Sequence, residues 1–360
     1  MKPVRLISPF PGGWRTGSRR GCCFWGGDGA RPPAGWHRAL PRMASALVLA
    51  ASFGAIPAIA QQFPSKPLRL IVPFPAGGGS DVIGRILAQK LGDRLGQQVV
   101  VDNRAGAGGS IGTEAAVRSA PDGYTMVLAS TSEIAINPAL YSKLDYDTVR
   151  DLAPVAMVAS TPMVVIVHPT LPVKTVKDLI ALAKAKPGAI NVASAGTGTI
   201  THLSGELFRS MTNVSWTHVP YKGAPPAMTD LASGQVQVMF SSLPAAMAFI
   251  KANRVRPIAM SSKARVATLP DVPTVMESGV PGYDVEYWYG SFAPAATPKE
   301  LVARLADEIG QSLKSPDVIA NLANQGAIPG NLTQPQFADF VKAEAAKWST
   351  VVKSSGAKVD

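Results

Sequence analysis

Cysteine is almost absent from this chain: its 360 residues contain two, Cys22 and Cys23. Residues 61–360 can therefore neither gain nor lose a disulfide among themselves, which suits an export compartment. Histidine is also scarce, and neither an H-E-x-x-H nor a C-x-x-C motif occurs. The sequence therefore predicts no metal site and no cofactor.

Acidic residues are nearly missing from the first 60 residues, which carry eight lysines and arginines against the single acid Asp28. This segment holds a net +7 of the total +11, so the remainder of the chain carries only +4. A strongly basic balance is the usual sequence evidence for a nucleic-acid partner. Because the excess lies in the N-terminal segment, we predict no nucleic-acid partner.

The N-terminal segment has the features of a secretory signal peptide. An apolar run from Met43 to Ile59 follows basic residues and ends in Ala58-Ile59-Ala60, an A-x-A cleavage site. We predict a leader over residues 1–60, with the signal peptide at about 38–60 and the upstream part as an over-extended gene start. A membrane anchor is the alternative, but the run is shorter than the ~20 apolar residues of a span.

The first glycine-rich stretch is Phe74-Pro75-Ala76-Gly77-Gly78-Gly79-Ser80-Asp81. An apolar run precedes it, and apolar residues at helical spacing follow it up to Leu95. The pattern predicts a strand, a turn and a helix, with Ser80 or Asp81 as the N-cap. Backbone N–H groups in such a turn, at the positive end of the helix dipole, bind anions. An ordinary tight turn without a ligand is the alternative.

Two missing residues narrow the choice of anion. A phosphate-binding P-loop needs a lysine where Asp81 stands, and the dinucleotide fingerprint needs a third glycine where Val82 stands. A nucleotide ligand is therefore poorly supported, whereas a carboxylate remains open.

A second stretch of the same kind is Ala195-Gly196-Thr197-Gly198-Thr199, between a strand pattern and a helix pattern. Its threonines add hydroxyl donors, and His202 in the first helical turn is a candidate ligand contact. Two such loops in separate βα units suggest two anion sites that face each other. Ser130 ends the third predicted strand, where open α/β sheets bind ligands, and Ser241 ends a later strand.

Strand and helix patterns alternate through most of the chain. Strands near 99–101 and 124–129, with helices between, predict a βαβαβ unit with a parallel sheet. Further strand and helix pairs follow up to about residue 262, and the last part of the chain is helical. Thr297 to Glu300 and Thr333 to Gln336 match capping boxes at helix starts.

A rival function is suggested by Gly108-Gly109-Ser110-Ile111-Gly112, which matches the G-x-S-x-G motif of serine hydrolases. Ser110 would then act with His202 or His218. In those enzymes the serine follows its strand almost at once, but here the strand ends near Asp102. The motif therefore gives the hydrolase only weak support.

Several ordered motifs resemble the extracytoplasmic solute receptors of tripartite tricarboxylate transporters, the Bordetella uptake gene family. The resemblance extends from about Phe63 to the C-terminus. The motifs are Phe74–Asp81, Val101-Asp102-Asn103-Arg104-Ala105-Gly106-Ala107-Gly108-Gly109, Ala120-Pro121-Asp122-Gly123-Tyr124, Ala135-Ile136-Asn137-Pro138, Ala193–Thr199, His218-Val219-Pro220-Tyr221-Lys222-Gly223 and Leu269-Pro270-Asp271-Val272-Pro273-Thr274.

The resemblance implies an α/β fold: a two-lobed periplasmic binding protein of type II, the Venus-flytrap kind. Each lobe is expected to be a mostly parallel sheet flanked by helices. We predict lobe one over residues 63–161 plus 283–360, and lobe two over residues 162–282. Two segments that cross between the lobes, near Val158–Val164 and Val285–Phe292, are the predicted hinge.

The resemblance also implies a non-enzymatic receptor in the periplasm, which captures a small carboxylate and delivers it to membrane permease subunits. Relatives commonly carry an acid after the phenylalanine at the position of Phe240. Its absence here favours plain di- or tricarboxylates over amino acids, but leaves the individual ligand open. The predicted ligand-binding residues are Phe74, Ala76, Gly77, Gly78, Ser80, Ser130, Ala195, Gly196, Thr197, Thr199, His202 and Ser241.

Overall fold

A computed structural model describes residues 63–355 of the chain. The predicted leader over residues 1–60 lies outside the described residues. Within the described part, no helix combines the length and apolar character that a membrane span requires.

The first part of the chain forms three parallel strands. β1 (Leu68–Val72) lies between β2 (Val99–Asn103) and β3 (Thr125–Ser130). The crossover segments contain α1 (Gly79–Leu95) and α2 (Ser110–Val117). β1 and β3 are almost entirely buried, because helices cover both faces of a parallel sheet. Apolar and polar residues therefore do not alternate along these two strands.

The chain then enters a long strand that belongs to both halves of the sheet. A π-helical turn (Ser132–Ile136) and the short helix α3 (Asn137–Leu140) lead to β4 (Leu152–Val167), a strand of 16 residues. β4 consists largely of small and β-branched apolar residues, and most of it is buried.

The second half of the sheet has the same parallel arrangement as the first. Its central strand, Asn191–Ser194, lies between two parallel strands. The strand Arg256–Met260 pairs antiparallel with β4. In chain order its elements are α4 (Val176–Ala185), β5 (Asn191–Ser194), α5 (Ile200–Thr212), β6 (Thr217–Pro220), α6 (Ala224–Ser233), β7 (Val238–Ser242), α7 (Leu243–Lys251) and β8 (Arg256–Met260).

The last part of the chain returns to the first half. It contains β9 (Glu286–Pro294), α8 (Lys299–Leu313), α9 (Pro316–Asn324), β10 (Ile328–Pro329) and α10 (Gln334–Ser355). β9 is antiparallel to both β3 and β4, and gives the strand order β2-β1-β3-β9-β4-β7-β5-β6. α8 packs against α1, and α10 packs against β4 and the π-helical turn. The predicted alternation of strands and helices is therefore confirmed.

β4 changes its partner in the middle of its length. Its residues up to Pro162 pair with β9, and those from Met163 onward pair with β7. This change lies beside the predicted lobe boundary at residues 161 and 162. The boundary and the hinge themselves remain predictions.

Two of the predicted helix caps are wrong. α1 begins at Gly79 with Gly78 as its N-cap, so neither Ser80 nor Asp81 is the cap. α8 begins at Lys299 after Pro298, and the buried hydroxyl of Thr297 has no hydrogen-bond partner in the part of the chain that the structure describes. The N-cap residue is Gly78 in α1 and Pro298 in α8, and neither helix has a side-chain cap.

The capping box at the start of α10 is confirmed. The N–H of Thr333 donates to Oε1 of Gln336 at 2.9 Å, and the N–H of Gln336 donates back to Oγ1 of Thr333 at 3.5 Å.

Candidate functional site

The first glycine loop, residues 73–78, joins β1 to α1 and is held by a carboxylate of the protein itself. Oδ2 of Asp81 accepts the N–H of Gly77 at 2.9 Å and Nε of Arg85 at 2.9 Å. Nδ2 of Asn103 donates to Oδ1 of Asp81 and to the carbonyl of Phe74, both at 3.0 Å. Burial alone would raise the pKa of Asp81, but these donors outweigh it and lower the pKa. The ionised Asp81 therefore fixes the shape of the loop.

Three of the loop glycines already use their backbone N–H groups for hydrogen bonds within the protein. Gly77 donates to Asp81, Gly78 donates to the carbonyl of Pro75 at 3.3 Å, and Gly196 donates to Oγ of Ser194 at 3.2 Å. The N–H groups of Gly79 and Ser80 have no partner among the described residues. An anion bound by the backbone at this loop would therefore contact Gly79 and Ser80, which directly follow Gly77 and Gly78.

Gly79 lies directly against the other half of the molecule. A Cβ atom added to it would lie 2.7 Å from Oη of Tyr289 and closer still to Oγ of Ser242. The Tyr289 hydroxyl is buried beside Ser242 and forms no hydrogen bond of ordinary geometry with the described residues. Burial raises its pKa well above the ordinary value, so it stays a neutral donor. These uncharged donors meet at the positive end of the α1 dipole.

The second glycine loop, residues 195–199, uses its own hydroxyl groups. Oγ1 of Thr199 donates to the carbonyl of Gly196 at 2.7 Å, and Oγ1 of Thr201 accepts the N–H of Ala195 at 2.9 Å. Thr197 is half-buried and makes no hydrogen bond within the described residues. Of Thr197, Thr199 and Thr201, Thr197 is thus the one whose hydroxyl forms no hydrogen bond with the described residues.

Two stacked histidines support the second loop. The rings of His202 and His218 lie 3.9 Å apart and 21° from parallel. Nδ1 of His202 accepts the N–H of Gly198 at 3.1 Å, and Nε2 of His218 lies 2.7 Å from Oγ of Ser194. Burial lowers the pKa of both rings, and burial together with His202 lowers the pKa of His218 to about 4. Both rings are therefore neutral at pH 7, and a ligand contact of His202 stays a prediction.

This pair predicts that acid destabilises the protein. The unfolded chain binds protons on these rings below about pH 6.5, whereas folded His218 binds one only near pH 4. Stability is therefore complete above pH 6.5 and falls as the pH drops toward 4. We expect the melting temperature of His218→Gln to fall less over this range than that of the wild type. His168→Gln, near the surface, is the control, and equal slopes for wild type and His218→Gln would contradict the prediction.

A cavity of about 380 Å³ is lined by residues of both glycine loops. Phe74 comes from the first loop and Ala195 from the second, and Lys222 provides a cation at the rim. Pro75 packs against Gly223, which has a positive φ of 106°, so the first loop touches the second half here. The volume suits a small organic ligand. The full lining is Phe74, Pro75, Ala105, Gly106, Ala107, Ala195, Tyr221, Lys222 and Gly223.

The remaining predicted site residues occupy different positions. Ala76 and Gly77 are exposed at the tip of the first loop. Ser130 is buried at the end of β3, where its hydroxyl donates to Glu133. Ser241 is buried at the end of β7 and donates to the carbonyl of Ser242 at 3.2 Å.

Sequence reasoning missed the buried polar residues contributed by other elements, namely Glu133, Ser242, Tyr287 and Tyr289. The available signal was the alternation on β9, where Tyr287 and Tyr289 point one way and Trp288 the other. Trp288 lies in the core and donates from Nε1 to Glu344 at 3.0 Å.

The hydrolase alternative gains nothing from the geometry. Oγ of Ser110 accepts a hydrogen bond from Nδ2 of Asn137 at 3.0 Å. The three histidines among the described residues form their hydrogen bonds with Thr170, Gly198 and Ser194 instead. A serine nucleophile needs a base within hydrogen-bond reach. Across residues 63–355 there is also no cluster of three potential metal ligands.

Comparison with known proteins gives a consistent result. Residues 83–357 match the tripartite tricarboxylate transporter family receptor. The chain is 40% identical to protein BugT of Bordetella pertussis over 306 residues, which is 85% of this chain and 94% of that protein.

Two solved structures show the same fold. Rpa4515 of R. palustris with adipate has a TM-score of 0.81 and 36% identity, and covers 82% of this chain and 100% of its own. MatC from Rhodopseudomonas palustris with bound malate has a TM-score of 0.77 and 30% identity, and covers 81% of this chain and 100% of its own. The predicted class, a two-lobed α/β periplasmic binding protein, is confirmed. The chain belongs to the receptor family of the tripartite tricarboxylate transporters.

Proposed function

We propose that this receptor binds a small di- or tricarboxylate between its two glycine-rich loops in the periplasm and delivers it to membrane permease subunits. The observation that carries the proposal is the group of uncommitted neutral donors around Gly79. The relatives with bound adipate and malate support the same class of ligand. The N-terminal 60 residues would provide the export signal.

The donors favour a carboxylate for a physical reason. The free N–H groups of Gly79 and Ser80 and the hydroxyl of Tyr289 can each donate to an anion, while the α1 dipole places a partial positive charge behind them. A hydrogen bond to a charged group contributes about 1.5–3 kcal/mol, so a few such bonds hold a carboxylate without a buried cation. Lys222, at the cavity rim, is available to a second carboxylate of the same ligand.

Closure would bring the loops together on the ligand. Lobe one would be residues 63–161 plus 283–360, and lobe two residues 162–282. The two strands that run between them, β4 and β9, would bend where β4 changes its partner.

A ligand panel tests the proposal. We expect at least one of succinate, malate, adipate and citrate to raise the melting temperature and to bind in calorimetry. Ligand at 100 times its Kd stabilises the folded state by about 2.7 kcal/mol. The matched control is the fully methylated ester of the acid that binds, which keeps the carbon chain but removes every carboxylate charge and should have no effect.

Failure of every acid to bind would overturn the proposal. Hydrolysis of ester substrates that is lost in Ser110→Ala would instead favour the hydrolase.

A further inference from the structure

Glu133 is a buried acid without an assigned role. It lies in the π-helical turn after β3, and its side chain is completely buried. Oε2 accepts the N–H of Ser130 at 3.1 Å and also the Ser130 hydroxyl. Oε1 is buried and has no hydrogen-bond partner within residues 63–355. A buried carboxylate oxygen without a hydrogen-bond partner destabilises the folded state, and such groups are rare in native proteins.

A chain of hydroxyl groups connects Glu133 to the first glycine loop. Oγ of Ser130 lies 3.0 Å from Oη of Tyr287. The Tyr287 ring packs against the Tyr289 ring with the centroids 4.8 Å apart, and the Tyr289 hydroxyl lies beside Gly79 at the start of α1. The Tyr287 hydroxyl also lies near the side chain of Ser80, in the first turn of the same helix. The chain therefore ends where the proposed function puts the carboxylate of the ligand.

The protonation state of Glu133 determines the direction in which the hydroxyl groups of this chain donate their hydrogen bonds. When Glu133 is ionised, the hydroxyls of Ser130 and Tyr287 both donate toward it, and Tyr287 offers only lone pairs at the far end. When Glu133 carries a proton, Glu133 donates to Ser130, Ser130 donates to Tyr287, and the Tyr287 hydroxyl is free to donate outward. A bound carboxylate stabilises the second arrangement, because it accepts hydrogen bonds and repels a second negative charge.

We propose that Glu133 takes up one proton from solvent when a carboxylate ligand binds, so that the hydroxyl chain turns to donate toward the ligand. The inference rests on the proposed function and predicts that the receptor binds one proton, on Glu133, together with the ligand. No bond between heavy atoms forms or breaks: the proton adds to a carboxylate oxygen of Glu133, and the hydroxyl protons of Ser130 and Tyr287 reorient.

The surroundings of Glu133 allow a proton near neutral pH. Burial raises its pKa to about 7, against the opposing effect of its bonds to Ser130. The titratable groups that face it are Tyr146, Tyr287 and Tyr289, and burial raises the pKa of each phenol, so all three stay neutral.

The helix packed against this turn adds no free charge at Glu133. Glu344, the buried acid of α10, is bound by the indoles of Trp288 and Trp348 and by Lys347. Glu133 also has no ion pair with a Lys, Arg or His among the described residues.

Calorimetry on the whole protein tests the inference. The acid of the panel that binds, for example adipate, is titrated at pH 7.5 in phosphate and in Tris, whose ionisation enthalpies differ. We expect wild type to take up most of one proton per ligand, and its affinity to fall up to tenfold between pH 7.5 and 8.5. Glu133→Gln, which is neutral at every pH and keeps a donor, should bind without proton uptake and with little dependence on pH.

The control is Glu277→Gln, an exposed acid of the second half that pairs with Arg265, and it should take up protons as the wild type does. Infrared spectra of the wild type give a second readout: the carbonyl band of a protonated carboxylic acid should appear when ligand is added. Ligand binding without proton uptake, or uptake that persists in Glu133→Gln, would overturn this inference alone. Absence of binding by every acid would overturn the proposed function and the inference with it.

Discussion

Gly79→Ala is expected to remove most ligand binding and to destabilise the protein. The new methyl group would lie 2.7 Å from the Tyr289 hydroxyl oxygen and nearer still to that of Ser242, a distance that real Cβ atoms do not adopt. The start of α1 or the side chains of Ser242 and Tyr289 must therefore move, and either change separates the donors that we assign to the carboxylate. We expect a loss of about 1–3 kcal/mol in the free energy of unfolding and at least a tenfold loss in affinity.

The neighbouring glycine provides the matched control. A Cβ atom on Gly78 would lie 3.3 Å from the carbonyl of Pro75 and 3.8 Å from Pro225, and its φ is an ordinary −80°. Gly78→Ala should therefore need only a shift of a few tenths of an ångström. Urea unfolding and calorimetry on both variants make the comparison. Equal stability and affinity in Gly79→Ala and the wild type would show that the close approach to Ser242 has no functional meaning.

Glu344→Leu is expected to give the largest loss of stability. Oε2 of Glu344 accepts the indole N–H of Trp288 at 3.0 Å and that of Trp348 at 3.1 Å, and all three side chains are buried. Leucine removes the acceptor for both donors, and each unsatisfied buried donor costs about 1–3 kcal/mol. We expect the free energy of unfolding to fall by about 2–5 kcal/mol, measured by urea denaturation.

Glu344→Gln distinguishes the lost acceptor from other effects. Its amide oxygen can still accept from the indoles, and glutamine, leucine and glutamate have similar helix propensities. Its cost should be less than half that of leucine. Equal costs for the two variants would show that the charge, through Lys347 at 3.1 Å, matters more than the acceptor.

Local patterns in the sequence predicted the parts of the fold that depend on local interactions. The strand, turn and helix around Gly77 and around Gly196 follow from apolar runs that end in glycine, and the structure has both. The box at Thr333 formed because the helix begins at Gln334, directly after Thr333. The box at Thr297 failed because Pro298, with a φ of −50° and a ψ of 136°, begins the helix one residue later.

The donors of the candidate site depend on distant residues, so the sequence could not assign them. Nothing near Gly77 shows that Asp81 will take its N–H, since this depends on how the side chain of Asp81 folds back over the loop. Tyr289 reaches Gly79 only through the pairing of β9 with β3, across some 200 residues of chain. The predicted ligand-binding residues therefore remain predictions, and the structure shows only which of their N–H and hydroxyl groups are already bound within the protein.

The shared strand β4 has a consequence for how such a protein could have been assembled. Its first part completes the sheet of one half and its last part completes the sheet of the other, with Pro162 and Met163 as adjacent residues at the change. Cutting the gene at that point would separate β9, in the C-terminal fragment, from β3 and the first part of β4, in the N-terminal fragment, and would leave the edges of all three strands unpaired. Neither half is therefore an independent module. Insertion, duplication or exchange of one half would also have to include β4.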